Sequence, residues 1–183
     1  MHKADLSSYN NSWYRSSGKV KVLLWYATSV LLFRNAIPYP QLLKKWILKV
    51  FGCRVGNHFI IKPCVNIKYP WFLEIGDNVW IGEKVWIDNL AQITIQSNVC
   101  ISQGAMLLTG NHDYKKSTFD LIVEPIILEE GVWIGAKSVV CPGVTCKSHS
   151  ILSVGSIATK DLEAYTIYQG NPAIKVRKRI IED

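Results

Sequence analysis

The sequence predicts a mainly β protein, a parallel β-helix of about five coils, on three observations. Aliphatic residues return every six positions along most of the stretch from Val55 to Ala158. A small or β-branched residue stands four places after most of them. Glycine often follows the aliphatic residue, as in IGDNVW (75–80), IGEKVW (81–86) and IGAKSV (134–139). A helix asks for spacings of three and four and an ordinary strand for two, so six fits neither. Short strands joined by tight turns do fit, three to a coil, with one aliphatic side chain per strand pointing into a narrow core.

Ahead of the repeat, residues 1–52 read as a basic, amphipathic helical segment. After a polar start, Val20–Phe33 is apolar nearly all round, and Pro38 and Pro40 then break the run. Leu42, Leu43, Trp46, Ile47, Val50 and Phe51 next fall at helical spacing, with Lys44, Lys45 and Lys49 on the other face and Gly52 placed as a stop. Helices of this kind either cap the neighbouring domain or lie on an anionic membrane surface, and the sequence leaves both open. The most apolar run, Val22 to Phe33, is 12 residues long, too short to span a bilayer as a straight helix. Lys21 precedes it and no small-residue cleavage site comes after it, so a secretory leader is not expected.

The coils can be counted. Val55, Ile61 and Ile67 open the repeat, Ile75, Ile81 and Ile87 continue it, and Ile95, Ile101 and Leu107 form a third set; Leu128, Ile134, Val140, Cys146, Leu152 and Ala158 complete it. Three hexads make 18 residues, the distance from Leu128 to Cys146, whereas 55 to 75 and 75 to 95 each run 20 and so carry a two-residue turn insertion. The β-helix is expected over 53–163, and five coils about 4.8 Å apart give a prism roughly 24 Å tall. Leu107 and Leu128 are 21 apart, 15 more than one hexad, so a loop over 108–127 should project without disturbing the coils on either side. Residues 164–183 are left as a C-terminal tail.

Composition narrows the setting. Hydrophobic residues make up 49% of the chain and charged residues 19%, a folded rather than disordered balance. The net charge of +7 sits in residues 1–50, where eight Lys/Arg face Asp5 alone (8 − 1 = +7); the remainder balances at 13 − 13 = 0. A basic segment rich in Trp and Leu suits an anionic membrane surface or an acidic partner. No helix-turn-helix, zinc or RNA-binding pattern accompanies it, so nucleic acid is not expected as a partner. Cys53, Cys64, Cys100, Cys141 and Cys146 form no CxxC pair and no metal spacing, which reads as buried thiols in a reducing cytoplasm.

The interruption LLTGNHDYKKSTFDL (107–121) holds the residue best suited to chemistry. Of the four histidines, His2 is near the terminus, and His58 and His149 fall at surface-turn positions of hexads. His112 alone lies in the non-repeating loop, flanked by Gly110, Asn111 and Asp113. Long loops in compact folds tend to carry function, and imidazole titrates near neutrality, as a general base should.

Residues 75–160 resemble the hexapeptide-repeat acyltransferases. VWIDNLAQITI (85–95), NVCISQGAMLLTGNHDY (98–114), EEGVWIGAKSVVCPGVT (129–145) and YQGNPAIKV (168–176) are most similar to the sugar O-acetyltransferases of the colanic-acid-biosynthesis type, and the likeness extends over the basic N-terminal helices. The resemblance implies a left-handed β-helix that assembles as a homotrimer with active sites between subunits. It implies acetyl-CoA as co-substrate, no metal, and a cytoplasmic enzyme acting on a sugar of a surface-polysaccharide precursor, with peripheral membrane contact through residues 1–50 as a further option. His112 would be the general base of a direct transfer in a ternary complex, with no acyl-enzyme.

Further roles come from the same resemblance. In GVWIGA (131–136), Trp133 and Gly135 would border the pantetheine slot and the Ala136 N–H would stabilise the oxyanion. Gly155, Thr159 and Lys160 would line the rest of the cofactor strip, and Lys175 and Arg177 would meet its phosphates. Ile174 stands where many relatives have Arg, which weakens that last assignment. Trp86, Asp88 and Asn89 match the acceptor-binding stretch, and Asp113 adjoins the base. Each has a plainer alternative: an aromatic on the coil surface for Trp133, a turn for Asp88–Asn89, pairing with Lys115 or Lys116 for Asp113, and a backbone carbonyl in place of Asp113 as the group that orients His112. Function is left with three readings: sugar O-acetylation, N-acetylation of an amino sugar, and a β-helix scaffold without chemistry. A zinc enzyme on this architecture needs three clustered histidines, and His112 and His149 lie 37 residues apart, about two coils.

Overall fold

Three parallel sheets form the faces of a prism in a computed structural model that describes residues 3–182, so His2 lies outside the described residues. The first face stacks the strands ending at Val55, Ile75, Ile95, Leu128 and Cys146. The second stacks those ending at Ile61, Ile81, Ile101, Ile134 and Leu152, and the third those ending at Ile67, with Trp86–Asp88, Met106–Leu108, Val139–Val140 and Ile157–Ala158. The chain is thus a parallel β-helix of five full coils. Repeat residues stack in register, Val55 on Ile75, Ile75 on Ile95, Ile95 on Leu128 and Leu128 on Cys146. Every counted aliphatic position is buried, as are most of the small residues four places later, from Val79 to Ser156; Ala91 is half-buried.

The turns explain the rest of the hexad. At the six-residue turns the third residue after the aliphatic one takes a left-handed conformation: Asn78, Lys84, Asn98 and Lys137 have φ between 56° and 61°, and Gly104, Gly131, Gly143 and Gly155 fill the equivalent places. Such a φ favours Gly and Asn. His58 (φ 50°) and His149 (φ 58°) occupy the same position, so they are turn residues.

All the irregularity collects at one corner. Between second and third faces the spacing is six in every coil, but between third and first faces it is eight (67 to 75), eight (87 to 95) and 21 (107 to 128) before returning to six (140 to 146). Within the long insertion, Gly110–His112 and Leu121–Val123 pair as an antiparallel hairpin. From Leu162 onward the chain does more than trail away. Leu162 bridges to Cys146, Thr166–Gly170 adds a strand to the second face, and Ala173–Lys178 pairs back on it.

The N-terminal helices, α1 (Lys19–Leu32) and α2 (Gln41–Val50), cover the open edge of the first coil. An open edge presents unpaired backbone groups, and the helices supply partners for them. Trp25 Nε1 donates to the Ile67 carbonyl at 2.9 Å, Gln41 Oε1 accepts from Ile61 N–H at 2.9 Å, and Lys44 Nζ donates to the Ile61 carbonyl at 3.4 Å. This turns the helix relative to the sequence reading of α2, with Ile47 buried and Lys49 exposed as expected but Lys44 turned inward. Lys44, assigned to the polar outer face, is 1% exposed, while Trp46 is 63% and Leu42 82% exposed. Gln41 and Lys44 face inward beside Ile47 and Leu48 because the coil edge needs hydrogen bonds there. Among the described residues, no helix is long and apolar enough to cross a membrane.

Candidate active site

At the regular corner, strands Cys100–Ile101, Trp133–Ile134 and Ile151–Leu152 stack on the second face, and their turns stack above one another. Beside them lies a cavity of about 470 Å³ lined by Ser102, Gln103, Trp133, Gly135, Ala136 and Arg177, among others. Trp133 is 44% exposed, and its Nε1 donates to Ser102 Oγ at 2.9 Å, so the indole is held by its edge with its surface partly open. Gly135 has no room for a side chain: a Cβ would lie 2.6 Å from Val154 N and 2.7 Å from Leu152 O, both backbone atoms of the next coil. The Ala136 carbonyl accepts from Gly155 N–H at 2.9 Å, whereas the Ala136 N–H has no hydrogen-bond partner among the described residues. A slot with a flat aromatic wall, an unpaired N–H and an arginine can take a long thioester arm and a negative charge.

Of the other residues expected here, Gly155 serves the turn (φ 68°) and is exposed. Thr159 and Lys160 are exposed and lie outside this cavity's lining. Lys175 is engaged elsewhere, its Nζ 2.6 Å from Glu163 Oε2; that hydrogen-bonded ion pair raises the lysine pKa and lowers the carboxyl pKa. Arg177, which pairs with Ile167 in the C-terminal hairpin, is the cation that lines the cavity.

The irregular corner holds His112 and its neighbours. His112 ends the hairpin's first strand, opposite Leu121. Its Nδ1 lies 2.9 Å from the Phe119 carbonyl, and its ring stacks on that of Phe119 at 4.3 Å and 8°. A carbonyl only accepts, so Nδ1 carries the proton and Nε2 keeps its lone pair. A backbone carbonyl, not Asp113, therefore orients the His112 imidazole. Asp113 is a turn residue: its Oδ1 accepts from Lys115 N–H at 3.1 Å and its own N–H donates to the Asp120 carbonyl. Lys116 and Asp120 pair at 3.0 Å across the hairpin tip; Asp120 raises the lysine pKa, and Thr118 and then Lys116 lower the Asp120 pKa by hydrogen bonding.

At the hairpin's root, Thr109 is buried; its hydroxyl donates to the Asp88 carbonyl at 3.0 Å and accepts from Ala91 N–H at 3.0 Å. Asp88 is half-buried, with Lys68 Nζ 2.8 Å from Oδ1. It lines a cavity of about 250 Å³ together with Trp86, which is 40% exposed. Asn89 corrects the reading made from its neighbours. Its side chain is fully buried, accepting from Tyr69 N–H at 2.9 Å and donating to the Tyr69 and Phe72 carbonyls at 2.6 and 3.2 Å. It staples the preceding coil's insertion and has no group left for a ligand.

Three contacts from the chain's start have no counterpart in the sequence reading. The segment ahead of α1 crosses the irregular corner: Asp5 N–H donates to the Ser117 carbonyl at 2.8 Å, and the Tyr9 ring lies 5.7 Å from that of His112. Tyr14 OH donates to the Leu90 carbonyl at 2.7 Å. Burial, then the neighbouring Tyr69 and Asp88, push its phenol pKa well up. Nothing in local spacing marks a tyrosine that meets a loop about a hundred residues away.

His112 and Ala136 stand at different corners of the prism, so one chain does not bring them together. No family model matches the chain. It is 35% identical over 180 residues to an Escherichia coli (strain K12) protein described as "Putative colanic acid biosynthesis acetyltransferase WcaF", covering 96% of this chain and 97% of that one. It is 29% identical over 150 residues to the galactoside O-acetyltransferase of the same strain, covering 80% and 73%. A solved galactoside acetyltransferase in complex with coenzyme A superposes with a TM-score of 0.77 at 26% identity, covering 87% of this chain and 80% of that one. With its five-coil repeat and near full-length match, the chain belongs to the hexapeptide-repeat acyltransferases, in the branch of the colanic-acid-biosynthesis acetyltransferases.

Proposed function

We propose that the protein transfers the acetyl group of acetyl-CoA to a sugar hydroxyl of a surface-polysaccharide precursor. The observation that carries the reading is the His112 Nδ1 contact with the Phe119 carbonyl, which leaves Nε2 free to accept a proton. The relatives' names supply the donor and the sugar class. The slot beside Trp133 takes the pantetheine arm, with Arg177 toward its phosphates.

In this mechanism His112 Nε2 removes the acceptor hydroxyl's proton as the oxygen attacks the thioester carbonyl. The Ala136 N–H of a second copy of the chain donates to the oxyanion that forms. As the C–S bond breaks, His112 returns the proton to the departing sulfur, so no acyl group is ever held by the protein. Because the two groups occupy different corners, the site is completed in a homotrimer, where one copy's irregular corner meets its neighbour's regular corner. Trp86 and Asp88 receive the sugar by stacking and hydrogen bonding. Residues 1–50 hold the enzyme peripherally at the cytoplasmic face of the membrane.

A thiol-release assay with acetyl-CoA and a panel of sugars and amino sugars tests this. His112→Ala should lower kcat about 10²- to 10⁴-fold while coenzyme A binding by calorimetry persists. Undiminished turnover in that variant would sink the mechanism, and transfer confined to amino sugars would replace O- with N-acetylation.

A further inference from the structure

The chain's start is tied across the irregular corner. Most of residues 5–14 are exposed, Leu6 at 67% and Trp13 at 59%, so the segment buries little apolar surface and adds little to the core. Ordering an exposed terminal segment costs conformational entropy and needs specific ties to hold it. Three such ties are present, and each falls on His112 or on a residue that supports it.

At one end, the half-buried Tyr14 donates its hydroxyl to the Leu90 carbonyl at 2.7 Å. Leu90 lies over Gly110, where a Cβ would come within 2.5 Å of Leu90 Cδ1, and Gly110 opens the strand that ends on His112. At the other end, Asp5 N–H donates to the Ser117 carbonyl at 2.8 Å, close in the chain to the Phe119 carbonyl that accepts from His112 Nδ1. Asp5 also caps the short 3₁₀ turn Leu6–Ser8, its Oδ1 accepting from Ser7 N–H at 3.1 Å and from Ser7 Oγ at 2.6 Å. Tyr9 closes that turn, its N–H donating to the Leu6 carbonyl at 3.2 Å, and is half-buried between exposed Ser8 and Asn10. Its ring meets the His112 imidazole at 5.7 Å and 59°.

We propose that residues 5–14 form an active-site strap in which Tyr9 is a positioning residue, fixing the tilt of the His112 imidazole so that Nε2 faces the acceptor hydroxyl. This rests on the reading of His112 as the general base. The Phe119 carbonyl and the stacked Phe119 ring both belong to the hairpin that carries His112, so they fix the imidazole to the insertion but not the insertion to the prism. Tyr9 reaches the same ring from outside the insertion, while Tyr14 ties the strap to Leu90 of the preceding coil and Asp5 ties it to the hairpin tip. A proton acceptor must lie within hydrogen-bond reach of its hydroxyl, and a displacement of about 1 Å can cost about 100-fold in rate. An aromatic at this distance and tilt restrains its neighbour by ring packing, so the tyrosine ring acts here and its hydroxyl does not.

The experiment compares Tyr9→Ala and Tyr9→Phe in the full-length protein, beside His112→Ala, by steady-state kinetics, thermal melts and nitrogen NMR of the imidazoles. Tyr9→Ala should lower kcat by about tenfold or more, with Tm and the KM for acetyl-CoA near those of the parent. Tyr9→Phe keeps the ring and should hold kcat within about twofold of the parent. At a pH where the imidazole is neutral, His112 should carry its proton on Nδ1 in the parent and in Tyr9→Phe, and should exchange between tautomers in Tyr9→Ala. An unchanged kcat in Tyr9→Ala overturns the proposal. So does an equal loss in Tyr9→Phe, which would make the hydroxyl the acting group. A kcat that falls only in step with Tm, with the tautomer unchanged, makes the strap a brace for the hairpin and also overturns it. Turnover persisting in His112→Ala overturns the general-base reading instead, and the tautomer comparison then still decides whether Tyr9 holds the ring.

Discussion

At the corner between second and third faces, every coil turns in six residues; at the corner between third and first faces, the coils take eight, eight and 21 before returning to six. The regular corner offers what a repeat can offer: a glycine packed on the next coil, an unpaired main-chain N–H at Ala136, and one aromatic held by its edge. The irregular corner offers reaching side chains, His112 and Asp88, with Tyr9 and Tyr14 brought in from the chain's start. His112 is set in place by the hairpin inserted at this corner, whereas the cavity beside Trp133 is built largely from uninterrupted hexads.

Cutting the insertion out breaks the comparison most directly. Replacing residues 110–123 with a short glycine-containing link should reduce acetyl transfer by more than about 100-fold. Stability in urea should change by less than about 1 kcal/mol, since the hairpin lies outside the stacked core. If unfolding shifted by several kcal/mol instead, the irregular corner would be part of the scaffold. At the regular corner the balance reverses. Gly135→Ala drives a Cβ into Val154 N and Leu152 O and should cost about 2 to 3 kcal/mol. It should also raise the KM for acetyl-CoA while leaving that for the acceptor near its original value.

Two adjacent residues sharpen the contrast within the irregular corner itself. Asn89→Ala removes three buried hydrogen bonds and should destabilise by about 2 kcal/mol with the acceptor KM changed little in the folded fraction. Asp88→Ala removes a half-buried carboxylate paired with Lys68; it should raise the acceptor KM by about tenfold and leave Tm within a few degrees. Thermal melts and steady-state kinetics on the same preparations separate the two.

How far such differences are legible in the sequence depends on what each residue does. Ile81, Ile101 and Leu152 are readable because a stacked coil demands the same side chain every sixth position. His112 is readable because it alone among the internal histidines stands outside that demand. The Phe119 carbonyl that sets its tautomer is not, since a main-chain acceptor leaves no mark on composition. Asn89 misleads because Asp and Asn suit turns equally, and only packing reveals that one amide meets an N–H and two carbonyls. The orientation of α2 is hidden for a related reason. Periodicity shows that a helix has two faces, whereas the unpaired groups of Ile61 decide which of them turns inward.

That orientation gives the smallest and most specific test. Lys44 lies against the Ile61 carbonyl and about one ring-width from Phe33, its ring centroid 6.0 Å from Nζ. Burial lowers its pKa, with Cys64 opposing weakly. Between that lowered folded value and the ordinary lysine range near 10.4, the unfolded chain binds the extra proton, so stability rises with pH across that window. Lys44→Met keeps the apolar stem, gives up one long hydrogen bond and removes the charge. It should stabilise by about 1 kcal/mol at neutral pH, with the gain shrinking as pH approaches 10 and the native lysine sheds its proton. A gain that stayed constant from pH 7 to 10 in urea titrations would mean that packing, and not the buried charge, separates the two proteins. A loss would mean that the bond to Ile61 holds α2 on the coil edge more firmly than its length suggests.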